Sequence, residues 1–168
     1  MKKLILILTT FLTFNANAAQ VGDTYGGFQY VMGTYSEDGF PDANPKAISL
    51  RLGKFIKDDF AIEGRFGFGM GNDAVDIFGI TATVEVDTLI GVYGIGHVRM
   101  DADKSIYGAF GFSQGGLTLT GGGVTISDDD SGLSFGAGIN IGNVNIEFMQ
   151  YLNKSDFDFS AISIGVMF

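Results

Sequence analysis

The sequence predicts an all-β fold, an eight-stranded antiparallel up-and-down transmembrane β-barrel, from three observations. Apolar and small or polar residues alternate with period two along most of the chain after residue 18. Glycine is abundant, at 26 of 168 residues, against an average usage of ~7%. The first 18 residues have the layout of an export signal.

The export signal is predicted over residues 1–18. Lys2 and Lys3 form a basic start, an apolar run follows from Leu4 to Phe14, and Ala16-Asn17-Ala18 supplies the small residues read by a signal peptidase. The apolar run is shorter than the ~20 residues that a membrane-spanning helix needs. Cleavage after Ala18 would leave one domain, residues 19–168.

The alternation predicts eight strands. In 60–70, Phe60, Ile62, Phe66, Phe68 and Met70 share one face, while the opposite face carries glycine, alanine and two charges. The predicted strands cover residues 25–35, 46–55, 60–70, 84–97, 105–118, 131–141, 143–152 and 157–168. Long loops at 36–45, 71–83 and 119–130 alternate with short turns, which is typical of bacterial outer-membrane barrels.

Periodicity alone does not say which face meets water, so a secreted soluble barrel is the alternative. A solvated strand face usually carries lysine, glutamate and threonine, whereas here the polar face is mostly glycine, serine, alanine and asparagine. Small residues suit the narrow interior of an eight-stranded barrel, and the apolar face would then contact lipid. This composition favours the membrane barrel.

The strand pattern and the end of the chain resemble the small eight-stranded outer-membrane barrels of the OmpA/OmpX type, a porin-family-like group of Gram-negative bacteria. Ala161-Ile-Ser-Ile-Gly-Val-Met-Phe168 ends on an aromatic residue after alternating apolar residues. The resemblance implies that Phe168 belongs to a signal read by the barrel-assembly machinery. It also implies a monomer in the outer membrane, in contact with its lipid and lipopolysaccharide.

Four charges are predicted to point into the lumen: Arg51, Glu63, Arg65 and Glu147. They permit two interpretations, a charged constriction in a low-conductance pore or a plug of ion pairs that fills the interior. The plug is favoured because eight strands leave little room for water.

The long loops are acidic, and Asp128, Asp129 and Asp130 form a possible cation-binding loop, since hard cations take carboxylate oxygens. The alternative is a solvated loop of mutually repelling charges. A milder possibility is that divalent cations bridge such loops to lipopolysaccharide phosphates. The net charge of −9 argues against a nucleic-acid partner.

No catalytic centre, cofactor site or metal site is predicted. The single histidine, His97, is the one candidate for an outer-membrane enzyme, but it falls at the periplasmic end of its predicted strand, and an interfacial role is favoured. Aromatic girdles are expected at both membrane interfaces. The inner girdle would hold Tyr25, Phe55, Phe60, Tyr107 and Phe168, and the outer one Tyr35, Phe68, Met70, Tyr151 and Phe157. The predicted function is a structural or surface-interaction anchor, with the low-conductance pore and then the enzyme as alternatives.

Overall fold

The computed structural model describes residues 21–77 and 79–168, so the predicted signal segment at 1–18 lies outside the described residues. These residues form strands β1 to β9. They contain no helix that is long and apolar enough to cross a membrane. The strands are Thr24–Glu37, Lys46–Lys57, Phe60–Gly71, Asp73–Ile77, Ile80–Arg99, Lys104–Gly121, Val124–Ile141, Val144–Asn153 and Phe157–Met167, numbered in that order.

Eight of these strands close into a ring. Neighbours pair antiparallel in the order β1-β2-β3-β5-β6-β7-β8-β9, and β9 returns to pair with β1 from Gly27↔Met167 to Glu37↔Phe157. The ring satisfies the backbone of every strand within it, as a hydrocarbon environment demands. The predicted eight-stranded antiparallel up-and-down barrel is confirmed.

The large apolar side chains lie on the outside of the barrel. Phe66 is cross-strand partner to Leu50 and to Ile90, and Phe66 and Ile90 are 49% and 46% exposed. The adjacent cross-strand row, whose side chains face the lumen, joins Arg51, Arg65 and Gly91. Both arginines are buried. A water-soluble barrel would place these two sets the other way round. The outer surface is therefore a lipid-facing surface, and the soluble alternative is excluded.

Two predicted loops, 71–83 and 119–130, are wrong, because both segments form β-hairpins. β4 pairs with the first residues of β5 through Val75↔Ala82, and β6 pairs with β7 as far as Gly121↔Val124. Gly122 and Gly123 close the second hairpin with φ values of 58° and 81°, the left-handed conformation that a two-residue turn of type I′ requires. We call residues 73–77, 80–87, 117–121 and 124–130 the protruding sheet.

The protruding sheet stands at the end of the barrel opposite the short turns. Those turns lie at 58–59, 100–103 and 142–143, and both ends of the described chain lie beside them, where the Gly26 amide donates to the Phe168 carbonyl over 2.9 Å. Short turns are periplasmic in outer-membrane barrels, and longer connections are extracellular. The protruding sheet thus points away from the cell.

Candidate functional site

The structure brings the four predicted lumen charges into one cluster. Arg65 donates two hydrogen bonds to Glu147, of 2.6 and 2.7 Å, and a third to Glu63. Arg51 donates to both oxygens of Glu63, over 3.0 and 2.8 Å, and its Nη1 lies 3.7 Å from Glu147. All four residues are at most 4% exposed. Two guanidinium groups therefore neutralise two carboxylates within the lumen, as buried charges require.

Neutral side chains complete this cluster and were missed in the sequence. The Tyr25 hydroxyl donates to Glu63 over 2.7 Å, and the Tyr107 hydroxyl donates to Glu147 over 2.8 Å. Asn145 accepts hydrogen bonds from Arg51 and Gln29, of 2.9 and 2.8 Å. The sequence carries a signal for these residues, because the period-two alternation of each strand turns them to the lumen face.

The two tyrosines lie directly over glycines of neighbouring strands. Tyr25 is the cross-strand partner of Gly53, and Tyr107 is the partner of Gly138. A Cβ at either glycine would collide with the tyrosine ring. The glycines on the inward face thus leave the space in which aromatic rings lie flat against the barrel wall.

A second, mostly apolar layer fills the lumen between the charge cluster and the protruding sheet. Tyr151 stacks on Phe159, with ring centroids 5.7 Å apart, and both residues are buried. The Arg65 guanidinium lies over the Tyr93 ring, 4.5 Å from its centroid, and so joins the two layers. The apolar layer includes Val31, Ala47, Val86, Leu89, Met149, Leu152 and Ala161. The buried side chains of the two layers fill this part of the lumen.

Six of the predicted girdle residues are wrong, because they point into the lumen and are partly or fully buried: Tyr25, Tyr35, Phe55, Tyr107, Tyr151 and Phe157. Phe60, Phe68 and Met70 are exposed on the outer surface. The period-two alternation turns these six residues to the lumen face, and the position of an aromatic residue near a strand end does not by itself indicate a girdle.

The two edges of the protruding sheet differ. At the β4 edge, Ala43 packs against Val75, and the Asn44 amide donates to the Asp73 carboxylate over 2.8 Å. That backbone hydrogen bond holds the pKa of Asp73 below its usual value. At the other edge, β8 pairs with β7 only from Phe135 to Ile141. Among the described residues, β7 between Val124 and Phe135 pairs with a strand on one side only, and that strand is β6.

Asp128, Asp129 and Asp130 lie on β7 of the protruding sheet, where the sequence predicted a loop. Their cross-strand partners are Leu117, Gly116 and Gly115, so Asp129 points to the opposite face from the other two. Asp130 pairs with Lys154 over 2.8 Å, and this hydrogen bond lowers the pKa of Asp130. Within residues 21–77 and 79–168, no group of three or more acidic, histidine or cysteine side chains is arranged to hold a metal ion.

His97 lies at the short-turn end, as predicted. Its ring packs among those of Phe55, Tyr107 and Tyr25, with centroid distances of 5.3, 5.5 and 6.5 Å. Its backbone amide donates to the Asp59 carbonyl over 2.8 Å. These contacts make His97 part of the aromatic packing inside the periplasmic end of the lumen.

The sequence profile of a known family, described as outer membrane protein beta-barrel domain, matches residues 4–168. The chain belongs to this family. It is therefore an outer-membrane β-barrel of a Gram-negative bacterium, and the resemblance to the OmpA/OmpX type is confirmed. No curated protein matches this barrel significantly.

Solved structures share the fold of the barrel at low sequence identity. The attachment invasion locus protein Ail of Yersinia pestis is 19% identical, with a TM-score of 0.60 over 89% of this chain and 100% of Ail. Neisserial surface protein A is 14% identical, with a TM-score of 0.60 over 86% and 95% of the two chains. The N-terminal barrel of Pseudomonas aeruginosa OprF is 14% identical, with a TM-score of 0.52 over 88% and 99%.

Proposed function

We propose that the barrel is a closed, monomeric anchor that displays the protruding sheet as an interaction surface outside the bacterium. One observation carries the proposal: the lumen is filled, while β4 and the outer parts of β5, β6 and β7 form a sheet beyond the barrel. A rigid scaffold that presents an exposed element is the usual arrangement of a binding protein. Release of residues 1–18 and recognition of the strand ending at Phe168 by the assembly machinery belong to the same proposal.

The filled lumen argues against the low-conductance pore. A conducting constriction keeps charged groups available to passing ions. Here both arginines are engaged by both glutamates, and the layer around Tyr151 and Phe159 excludes water above them. Opening a path would expose buried ion pairs and separate them, which is costly.

The chemistry of the protruding sheet favours a positively charged partner. Its four segments carry seven acidic residues and neither lysine nor arginine. Ail has been crystallised with the heparin analogue sucrose octasulfate, a polyanion. The same type of ligand would be repelled by the acidic sheet of this chain, and a cationic partner would be attracted.

The proposed role is non-catalytic. The one histidine is packed among three aromatic rings, and the two tyrosine hydroxyls among them are engaged with Glu63 and Glu147. A general base must reach the proton that it removes. We expect His97→Ala to alter barrel stability but no chemical activity.

Two measurements test the proposal. The first is conductance of the refolded barrel in a planar bilayer, where we expect no reproducible steps. The second is retention of the barrel, in nanodiscs of zwitterionic lipid, on immobilised poly-lysine and on immobilised heparin. We expect retention on poly-lysine alone.

The matched control neutralises acidic residues of the protruding sheet and leaves its strands in place. Five of the seven negative charges are removed when the matching amides replace Asp76, Glu85, Asp87, Asp128 and Asp129. This variant should lose most of its retention on poly-lysine. Conductance steps in the intact barrel, or equal retention of both proteins, would contradict the proposal.

A further inference from the structure

A groove lies in the outer surface of the barrel, across strands β5 to β8. Its volume is about 700 Å³, within the ~300–1,000 Å³ of ligand-binding pockets. Gly96, Gly108 and Ala137 are successive cross-strand partners, face outward and form its floor. A Cβ added to either glycine would meet no atom within 4 Å. Three neighbouring strands thus lack a large side chain at the same level, which leaves a depression in a surface of bulky residues.

The walls of this groove are apolar. Val98 and Ile106 are cross-strand partners on its periplasmic side, and Phe148 closes the end towards β8. All three side chains are exposed on the outer surface. Tyr107 and Glu147 also border the groove, but their side chains point into the lumen, where they are buried. The groove therefore suits a hydrocarbon chain and offers no polar side chain to a ligand.

The depth of the groove identifies which lipid meets it. Gly96 lies three residues before the end of β5 at Arg99, about 10 Å along the strand. Arg99 adjoins the 100–103 turn, one of the short turns of the periplasmic side. In a hydrocarbon core ~30 Å thick, the groove thus opens to the periplasmic leaflet. That leaflet of an outer membrane consists of glycerophospholipid, whereas lipopolysaccharide occupies the other one.

A lysine stands at the periplasmic end of the groove. Lys104 is the next residue after Ile106 on the outward face of β6, and its cross-strand partner Ile141 is an exposed residue of the apolar outer surface. Within residues 21–77 and 79–168, Lys104 forms no ion pair. A lysine near the end of a membrane-spanning strand extends its ammonium group to the level of the lipid headgroups. There it is available to a lipid phosphate.

The charges around Lys104 distinguish between headgroups. Asp101 and Asp103 lie in the turn that precedes it, and Arg99 is already paired with Asp59 over 3.2 Å. The local charge is therefore not positive overall, which disfavours a headgroup with a net negative charge. A headgroup that carries an ammonium group beside its phosphate matches both signs.

We propose that this groove binds one glycerophospholipid of the periplasmic leaflet, with a zwitterionic ethanolamine headgroup. An acyl chain would lie on Gly96, Gly108 and Ala137, and the phosphate would meet Lys104. The aspartates of the 100–103 turn favour the ammonium group over a second negative charge. This site lies at the opposite end of the barrel from the protruding sheet and does not depend on the proposed function.

Native mass spectrometry of the full barrel, refolded in detergent micelles, tests the proposal. The probes are palmitoyl-oleoyl phosphatidylethanolamine and palmitoyl-oleoyl phosphatidylglycerol, which share their chains and differ in headgroup charge. We expect one bound phosphatidylethanolamine, held at least about threefold more tightly than phosphatidylglycerol. Equal or tighter binding of phosphatidylglycerol would overturn the proposal, and so would a complex of two barrels without lipid, since a second copy would then cover the groove.

Gly108→Phe tests the groove itself by filling it with an aromatic ring. Gly64→Phe is the matched control, because Gly64 also faces outward with no atom within 4 Å of an added Cβ but lies outside the groove. The first variant should weaken binding of phosphatidylethanolamine by at least about tenfold, and the second should bind like the native barrel. If Gly108→Phe does not fold, Ala137→Leu raises the same floor. Equal binding by the groove variant and the Gly64 control would overturn the proposal.

Lys104→Gln tests the phosphate contact against Lys54→Gln. Lys54 is exposed and faces outward near the same end of the barrel, but it lies on β2, away from the groove. Lys104→Gln should weaken binding of phosphatidylethanolamine about three- to tenfold at low salt and less at high salt, and Lys54→Gln should change nothing. Equal losses in the two variants would show a general attraction of lipid to the periplasmic rim and would overturn the proposal.

Discussion

Glu147 is the residue on which both buried arginines converge. It accepts two hydrogen bonds from Arg65 and one from Tyr107, and it lies 3.7 Å from Arg51. Removing one member of a buried ion pair costs more than the pair contributes, because an uncompensated charge stays behind. The cluster therefore behaves as a unit whose members depend on each other.

Glu147→Leu should destabilise the barrel by about 3–5 kcal/mol, because two guanidinium groups would then share Glu63 alone. Arg65→Met combined with Glu147→Leu removes one charge of each sign and should cost less than the single change. The urea midpoint of the barrel refolded in lipid vesicles measures both effects. Glu85→Gln, on the exposed protruding sheet, is the control and should leave the midpoint unchanged. A double variant less stable than the single one would contradict this account.

The Asp130–Lys154 pair predicts a pH dependence outside the membrane. Its hydrogen bond lowers the pKa of Asp130 in the folded protein, so the pair stabilises the fold above the unfolded pKa of ~3.9. The contribution is lost as pH falls through the lower, folded pKa. Both side chains are about one third exposed, so Asp130→Asn should cost at most ~1 kcal/mol at neutral pH.

Nuclear magnetic resonance of the Asp130 carboxyl carbon is the direct measurement for this pair. Lys154→Met should raise the pKa of Asp130 towards its ordinary value, and Lys104→Met, at a periplasmic turn, should leave it unchanged. An unchanged pKa in the first variant would show that the ion pair is not formed in solution.

At the scale of elements, the tip of the β6–β7 hairpin depends on its turn. Gly123 has a φ of 81°, a conformation that costs other L-residues about 1–2 kcal/mol and β-branched ones more. Gly123→Val should increase amide exchange in the protruding sheet, while the urea midpoint of the barrel stays the same, because the turn lies beyond the closed ring. Gly123→Asn, which tolerates this conformation, should keep the protection. Equal exchange in both variants would contradict the type I′ turn.

The strands that span the membrane were predictable because each has one apolar and one small or polar face. β3 was predicted within one residue of its observed end, and β2 within two. The lumen charges followed from the same alternation. Their partners Tyr25 and Tyr107 were misplaced, because an aromatic residue near a strand end was assigned to a girdle without its facing being checked.

The protruding sheet was not predictable in this way. Around Ser127-Asp-Asp-Asp-Ser131 both faces are polar, so the sequence shows no alternation of apolar and polar residues there. Gly122 and Gly123, which make a tight turn, equally suit a flexible loop. What fixes these strands is pairing with β5 and β6, a long-range property that local pattern does not encode.

At the scale of the whole molecule, the apolar outer surface should define a band with a sharp upper limit. Phe66 lies midway along β3 and faces outward, opposite Ile90. Val124 is similarly exposed but lies on the protruding sheet, beyond the closed ring. Both are half-exposed apolar residues in strands, so they differ mainly in what surrounds them.

An arginine at these two positions measures that difference. Phe66→Arg should cost about 2–4 kcal/mol of folding free energy, since a charge at the bilayer midplane loses its hydration, and Val124→Arg should cost about 0–1 kcal/mol. Urea titration in lipid vesicles checks the values, and titration in detergent micelles should reduce the gap because micelles deform around a charge. Equal costs in vesicles would mean that the protruding sheet is immersed in lipid, and it could not then act as an interaction surface outside the bacterium.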